Sequence, residues 1–322
     1  MTDTEPSNKP LTWLVLATIP LVLLMSVLSA YVRLTNAGLG CADWPACYGL
    51  VEFAAGAGPV VAPGAGLAQH ITATLVGLFV VGIAVLAWRD RGNRPRTARR
   101  AATALGLTIC LSLLGLVTPA TLHPIVALGN LLGGMVLLGL LWWLWLRALA
   151  APAAVGPDAA RLRPWARAGL ALLMLQTALG GWVSANFAAA ACPELAGCGA
   201  PWSFAGAREM FDLARTLSLG AGGAVLVPES AKALHIVHRL GAFLTLFYLG
   251  WLSFRAAQAG AALRAAGYAI LVPLAAEFLL GLASVAGGLP LAVVTLHNAA
   301  AALLLLGVIY LYHRLTPAKT TI

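Results

Sequence analysis

The sequence predicts an all-α integral membrane protein with eight transmembrane helices, arranged as two pseudo-symmetric four-helix bundles. Of its 322 residues, 61% are hydrophobic and only 10% are charged, whereas about a quarter are charged in an ordinary soluble domain. Apolar runs near the length of about twenty residues that crosses a bilayer as helix recur along the chain. A transmembrane barrel would show short alternating segments instead. The third observation is an internal repeat, which predicts that the eight helices form two similar bundles of four.

The apolar runs define eight predicted spans. The first run, "LTWLVLATIPLVLLMSVLSAYV", is too long for the core of a signal peptide, so we interpret it as a retained helix. The predicted spans are 12–32, 68–88, 101–119, 125–147, 166–187, 233–254, 265–286 and 292–312.

The basic residues predict the orientation of these spans. The segment 89–100 holds six arginines, 147–167 holds four and 255–264 holds two; with the two chain ends, these segments contain fifteen of the twenty Lys and Arg residues. Cytoplasmic loops carry such an excess. We therefore expect a multi-pass protein of a bacterial-type inner (cell) membrane with both termini cytoplasmic, and loops 33–67 and 188–232 outside. The net charge of +9 then reflects contact with membrane lipid rather than nucleic acid.

Two cysteine pairs with the same spacing lie in the two long external loops. Cys41 and Cys47 enclose five residues, as do Cys192 and Cys198. Because disulfides persist outside the cytoplasm, we predict the bridges Cys41–Cys47 and Cys192–Cys198. They are either redox-active or structural.

These loops belong to an internal repeat. The first loop contains "RLTNAGLGCADWPAC", which parallels "WVSANFAAAACPELAGC" in the second. Three spans also share a glycine that follows the first or second residue of a short motif by four positions: "LSLLG", "LQTALG" and "EFLLG". Each half has the order helix, long Cys loop, helix, helix, short loop, helix. We predict a first half at 11–148, a cytoplasmic linker at 149–163 and a second half at 164–314; repeats of this kind place sites at equivalent points.

Histidines near the outer ends of spans suggest a bound iron cofactor. His238 and His297 lie at similar depth in the sixth and eighth spans, where one imidazole could bind each face of a planar haem. The neighbouring Arg239 would suit a haem propionate through a bidentate pair. A single histidine at a helix end is more often an interfacial hydrogen-bonding residue, but two at matched depth favour ligands.

The first half is less regular. His70 is the counterpart of His238, but Asn130 stands where a second ligand is expected. His123 precedes Pro124 at the mouth of the fourth span. Spacing alone therefore gives this half one axial histidine, a possible ligand of a second haem iron.

Glu277 is an acidic residue inside a span. An ionisable group at such depth is a functional candidate: a proton relay, or a hydrogen-bond partner of a ligand or substrate. The alternative is a neutral carboxyl bonded to a neighbouring helix.

Four stretches resemble the haem A synthase family over nearly the whole chain. "VRLTNAGLGCADWPACYG" looks like its first external loop, and "LQTALGGWVSANFAAAACPELAGC" like its fifth span and second external loop. "IVHRLGAF" resembles its haem-ligand helix and "TLHNAAAALLL" its eighth span.

The resemblance implies an oxidoreductase of haem A biosynthesis, which oxidises the C8 methyl of haem O to a formyl group for terminal oxidases. It implies a haem b cofactor on His238 and His297, and haem O as substrate in the first half, beside a histidine pair and a nearby glutamate, so that His70 is a catalytic candidate. Glu277 is a second catalytic candidate because of its place inside a span. It also implies that Cys41 and Cys47 act in redox transfer or haem handling. A haem O synthase and oxidase assembly factors are the partners to expect.

This sequence departs from the family pattern in the first half. The family's Glu-x-x-His-Arg reads "LAQHI" here, so Leu67 replaces the glutamate and Ile71 the arginine, and Asn130 replaces a histidine. The second half reads "HIVHR", with His235 in place of that glutamate and so a further cofactor-binding candidate.

Three functions follow as hypotheses. One is a haem A synthase with a rearranged substrate site. A second is a divergent relative that binds haem b in its second half without oxidising haem O, and serves electron transfer, haem binding or oxidase assembly. The third is a membrane thiol oxidoreductase, although such enzymes commonly use Cys-x-x-Cys.

Overall fold

The computed structural model describes residues 9–36, 63–117, 122–149, 156–196, 198, 207–220 and 225–316. The predicted fold class is confirmed within these residues: they form eight long helices of the length and composition that cross a membrane. The long helices are α1 (Lys9–Asn36), α2 (Pro63–Arg89), α3 (Pro95–Val117), α4 (Pro124–Ala148), α6 (Leu162–Ala185), α8 (Ala231–Gln258), α9 (Ala261–Ala286) and α10 (Leu291–Arg314).

Prolines mark several helix starts. Pro63, Pro95 and Pro124 are the first residues of α2, α3 and α4, where the missing N–H costs nothing and the fixed φ suits the helix. Pro290 is the N-cap of α10. Each of these four helices therefore begins at a position that the sequence marks by its proline.

The structure extends the predicted third span into the basic segment that precedes it. The helix α3 begins at Pro95, six residues before the predicted span, and so includes three arginines of the basic segment. Long basic side chains can lie along a helix and keep their charge in water. The helix therefore includes charged residues that lie before the apolar run. Two short helices, α5 (Pro157–Ala160) and α7 (Ala207–Met210), were not predicted.

The two sets of four long helices pack in the same cyclic order. In the first set, α1 contacts α2 and α4, and α3 contacts both of these. In the second set, α6 contacts α8 and α10, and α9 contacts both of these. Helices α1 and α4 join the sets through α10, and α4 also contacts α6. The residue limits of the two halves stay a prediction.

A shared apolar core links the two sets, and apolar side chains also cover the outside. The buried cluster includes Ile83, Leu138, Leu249 and Leu304 from four helices. Trp142 donates a hydrogen bond from Nε1 to the carbonyl of Leu306 on α10, at 3.0 Å. Large side chains such as those of Leu116, 78% exposed, and Phe247, 71% exposed, lie on the surface, where lipid would cover them.

Candidate functional site

His238 and His297 lie at matched depth on α8 and α10, the two diagonally opposite helices of the second half that both pack against α6 and α9. His238 is seven residues after the start of α8, and His297 is six residues after the start of α10. Both side chains are half-buried, and the two rings are close enough to interact electrostatically. The structure thus brings together the two histidines that the sequence singled out.

Glu277 of α9 holds the ring of His297. The backbone carbonyl of Glu277 lies 3.0 Å from Nδ1 of His297, and its carboxylate Oε2 lies 3.2 Å from the same nitrogen. The carbonyl accepts a hydrogen bond from Nδ1, so Nδ1 carries the proton and Nε2 of a neutral ring presents a lone pair. The carboxylate lies beside the same nitrogen at ion-pair distance. This is the arrangement in which a carboxylate orients a histidine that binds a metal.

Gln176 of α6 holds the ring of His238. Its Nε2 lies 3.0 Å from Nδ1 of His238 and donates to the backbone carbonyl of the same residue at 2.9 Å. In this orientation the amide NH2 faces both atoms, and Nδ1 accepts. Rotation of the amide would place its oxygen at Nδ1–H, the tautomer that leaves Nε2 free for a metal, and would give up the hydrogen bond to the carbonyl of His238. Neither Nε2 of His238 nor Nε2 of His297 has a hydrogen-bond partner among the described residues.

A glycine faces each ring, one helical turn beyond its polar partner. A Cβ on Gly180 would lie 2.8 Å from Cε1 of His238, and a Cβ on Gly281 would lie 3.2 Å from Cε1 of His297. Any larger residue would push against the imidazole, so the helices provide a slot for each ring. The sequence repeat "LQTALG" and "EFLLG" contains this spacing, but sequence reasoning had not identified Gln176 as a site residue.

Arg239 binds the disulfide loop of the second half. Cys192 and Cys198 form the predicted disulfide, with Cα atoms 4.6 Å apart. The guanidinium donates to the carbonyl of Cys192 at 2.7 Å and to that of Glu194 at 2.6 Å, with a longer bond to Leu195 at 3.3 Å. The predicted role toward a propionate stays a prediction; the contacts seen here fix the loop beside His238.

His235, the other predicted cofactor-binding residue of α8, is buried. Its side chain is 5% exposed and lies at the backbone of Ala188 and Ala189. Its Nδ1 has no hydrogen-bond partner among the described residues. His235 therefore packs under the segment that follows α6, about one turn of α8 nearer the start of the helix than His238.

A second apolar cluster packs where α6 ends and α8 begins. It includes Trp182, Met210 and Leu234, and the indole Nε1 of Trp182 donates to the carbonyl of Met210 at 2.7 Å. Nearby, burial lowers the pKa of Arg215, while two acidic neighbours, Glu209 and Asp212, oppose that shift.

In the first half, His70 occupies the position that His238 has in the second. His70 is seven residues after the start of α2, and its side chain is exposed. Leu67 is 62% exposed and Ile71 is 52% exposed. Since these two apolar residues flank His70, the first-half histidine has neither an acidic nor a basic neighbour at those positions.

Asn130 and Leu111 occupy the positions of His297 and Glu277. Asn130 is six residues after the start of α4, as His297 is in α10. Leu111 is sixteen residues after the start of α3, as Glu277 is in α9. The side chain of Leu111 also faces Gly133 of α4. The first half thus has an apolar side chain in place of the carboxylate and a carboxamide in place of the imidazole.

The structure describes His123 but not the cysteine pair of the first half. His123 is the N-cap of α4 and is exposed, so α4 begins where hydropathy placed it and His123 stays at the mouth. Cys41 and Cys47 lie outside the described residues, and their pairing stays a prediction.

The second-half residues fit the axial ligands of a haem. Two imidazoles from different helices have unbonded Nε2 atoms, a polar side chain lies within 3.2 Å of each Nδ1, and glycines give the rings room. Histidine pairs are an established form of haem ligation. The fold and this site together define a class: a multi-pass helical membrane protein with a histidine-lined site between helices.

The chain belongs to the COX15-CtaA family, described as cytochrome oxidase assembly protein, whose profile matches residues 12–55 and 68–309. It is also similar to the heme A synthase of Shewanella oneidensis, with 30% identity over 94% of this chain and 97% of that protein. These matches confirm the family resemblance that the sequence motifs indicated.

Proposed function

We propose that this chain is a haem A synthase-like oxidoreductase, which converts the C8 methyl of haem O to a formyl group and uses haem b in its second half. The observation that carries the proposal is the pair His238 and His297, each with a polar side chain beside Nδ1, at 3.0 Å for Gln176 and 3.2 Å for Glu277. The similarity to a heme A synthase over almost the full length of both chains supports it.

In the second half, His238 and His297 would hold the iron of haem b through their Nε2 atoms. Bound there, haem b supplies one-electron transfer. Gln176 and Glu277 would orient the two rings. A ligand held by such partners keeps its orientation when its iron changes charge.

In the first half, His70 would hold haem O as substrate. Oxidation of a methyl to a formyl group removes electrons and protons and adds oxygen, so it needs a positioned substrate and a proton acceptor. Leu67 and Leu111 provide no acceptor in the first half. Glu277 bonds to His297 and so acts in the second half, which makes it a positioning residue rather than a base for haem O.

The proposal carries a location and partners with it. Both termini would be cytoplasmic and both cysteine loops external, as the distribution of arginines favours. A haem O synthase would supply the substrate, and assembly factors of a terminal oxidase would receive the product. Both exchanges would take place within the membrane, because haem O is apolar.

Co-expression with a haem O synthase tests the proposal. Haems are extracted from membranes that contain this chain and separated by chromatography, with the synthase alone as control. Haem A is expected only when both proteins are present. Absence of haem A from a sample in which this chain is folded and carries haem b would contradict the proposed oxidation.

One set of observations favours a second candidate function. Leu67, Leu111 and Asn130 together remove the acid and one imidazole from the first half. A relative that binds haem b in its second half, without oxidising haem O, would need neither of them. Such a protein would carry electrons or haem during oxidase assembly, and it would give the b-type spectrum with no haem A.

A further inference from the structure

We propose that the first half holds haem O through a single protein imidazole, His70, so that one axial face of the substrate iron is open to a small ligand such as carbon monoxide. The inference rests on the proposed function, because it assigns a haem to this half. It departs from the paired ligation proposed for the second half.

Helix positions carry the first step. His70 and His238 stand at the same distance from the starts of α2 and α8, and Asn130 and His297 at the same distance from the starts of α4 and α10. The four helices of each set also pack in the same cyclic order. Asn130 therefore occupies the position from which the second half provides its second imidazole.

The side chain at this position is not a haem ligand. Haem iron in proteins is bound axially by His, Cys, Met or Tyr, whereas a carboxamide offers a weakly basic oxygen and an amide nitrogen that only donates. The structure thus does not fit a bis-histidine site in the first half.

The partner of the missing imidazole has changed as well. Glu277 holds His297 by two contacts to Nδ1, and the equivalent residue of α3 is Leu111, which can accept no hydrogen bond. Leu111 packs toward Gly133 of α4 instead. Ligand and supporting acid are absent together, which indicates a consistent single-ligand design for this half.

No other histidine of the first half can take the place of Asn130. His123 is at the N-cap of α4, seven residues earlier, which is about 10 Å along a helix at 1.5 Å per residue. Pro124 follows it and fixes the start of the helix there. His123 and Asn130 therefore lie at different depths.

Open coordination has a direct spectroscopic consequence. Ferrous haem with two imidazole ligands is low-spin and has no place for carbon monoxide, whereas ferrous haem with one imidazole is high-spin and binds it. Carbon monoxide would thus bind the haem of the first half and not the haem of the second half of the same polypeptide.

The test uses the full chain, co-expressed with a haem O synthase and purified in detergent. Haem content per chain is measured, and spectra of the dithionite-reduced protein are recorded with and without carbon monoxide. We expect one carbon monoxide-binding haem beside one low-spin haem. His70→Ala should abolish carbon monoxide binding and leave the low-spin spectrum, which also reports that the variant is folded.

Two matched variants exchange the ligands between halves. Asn130→His should convert the first-half haem to low spin and remove carbon monoxide binding while haem content is kept. His297→Asn should have the opposite effect and open the second-half haem to carbon monoxide. A loaded wild-type protein with two low-spin haems, or a first half that takes up no haem, would overturn the inference.

The outcomes also separate this inference from the proposed function. Carbon monoxide binding that depends on His70, without haem A formation, would contradict only the proposed oxidation. Haem A formation by a protein whose loaded first half is low-spin would contradict only the single-ligand site.

Discussion

The two halves of the molecule share a helix plan but differ in the side chains at equivalent helix positions. In the second half, a carboxylate and a carboxamide each hold an imidazole in place through Nδ1. In the first half, His70 stands alone at the corresponding depth, and Leu111 and Asn130 occupy the other positions. The two halves thus keep the same arrangement of helices but carry different polar side chains at the equivalent positions.

This difference indicates separate tasks. A site with two imidazoles, each supported by a polar side chain, suits a permanently bound cofactor, because orientation and affinity both come from the supporting partners. A site with one exposed histidine and apolar neighbours suits a group that must enter and leave. The comparison therefore predicts a tightly bound haem in the second half and an exchangeable one in the first.

The largest effect is expected from the second-half histidines. His238→Ala or His297→Ala should abolish the low-spin b-type spectrum, because each would supply one axial ligand. Reduced-minus-oxidised spectra of the purified protein measure this, and His70→Ala is the matched control that should keep the spectrum. A low-spin spectrum unchanged in both second-half variants would show that other residues bind the iron.

The supporting acid should have the next largest effect. Glu277→Leu gives the second half the residue that the first half has at Leu111, and loss of such a partner commonly costs 10–100-fold in metal affinity, so we expect about that loss for haem b. Haem titration of the apoprotein measures it. Glu277→Gln keeps an acceptor for Nδ1–H and should fall between wild type and Glu277→Leu; equal affinity in all three proteins would exclude a positioning role.

The glycine slots should show a graded, smaller effect. Gly180→Ala places a Cβ 2.8 Å from the ring of His238, and forced repacking of this kind costs about 1–3 kcal/mol. We expect Gly180→Ala to weaken haem binding more than Gly281→Ala, where the contact is 3.2 Å. Gly250→Ala on α8 is the control, since nothing lies within 4 Å of its Cβ; an equal effect of all three substitutions would contradict the slots.

The smallest effect on the histidine site is expected from Arg239, because its hydrogen bonds order the disulfide loop and not an imidazole ring. Arg239→Lys keeps the charge but loses the planar fork that bonds to the carbonyls of Cys192 and Glu194. Hydrogen bonds to charged groups contribute about 1.5–3 kcal/mol each, so amides of residues 193–196 should exchange faster with deuterium. Lys232→Arg is the control on the same helix. Exchange rates that stay the same in Arg239→Lys would show that the disulfide alone orders the loop.

Much of the fold could be predicted from the sequence, because hydropathy and proline positions are local signals. All eight spans appear as helices, and α4 begins within one residue of its predicted start. The start of α3 was missed by six residues, because a helix can continue through arginines that hydropathy counts against it. The short helices α5 and α7 have no hydropathy signal of their own.

The candidate site was predicted only in part. The matched depth of His238 and His297 was readable, because both are counted along helices of known start. Gln176 was missed as a site residue, since its role depends on the packing of α6 against α8. The contacts of Arg239 were also unforeseen, because they depend on the path of the loop after α6.

By itself, the sequence determined that this protein has eight membrane-spanning helices, an internal repeat and an incomplete set of histidines in its first half. Those properties follow from hydrophobicity, helix length and residue identity. Only the tertiary structure decided which polar side chain supports each histidine, which glycine gives it room, and that Arg239 holds the disulfide loop. These contacts join residues far apart in the chain, so helix packing, and no local pattern, creates them.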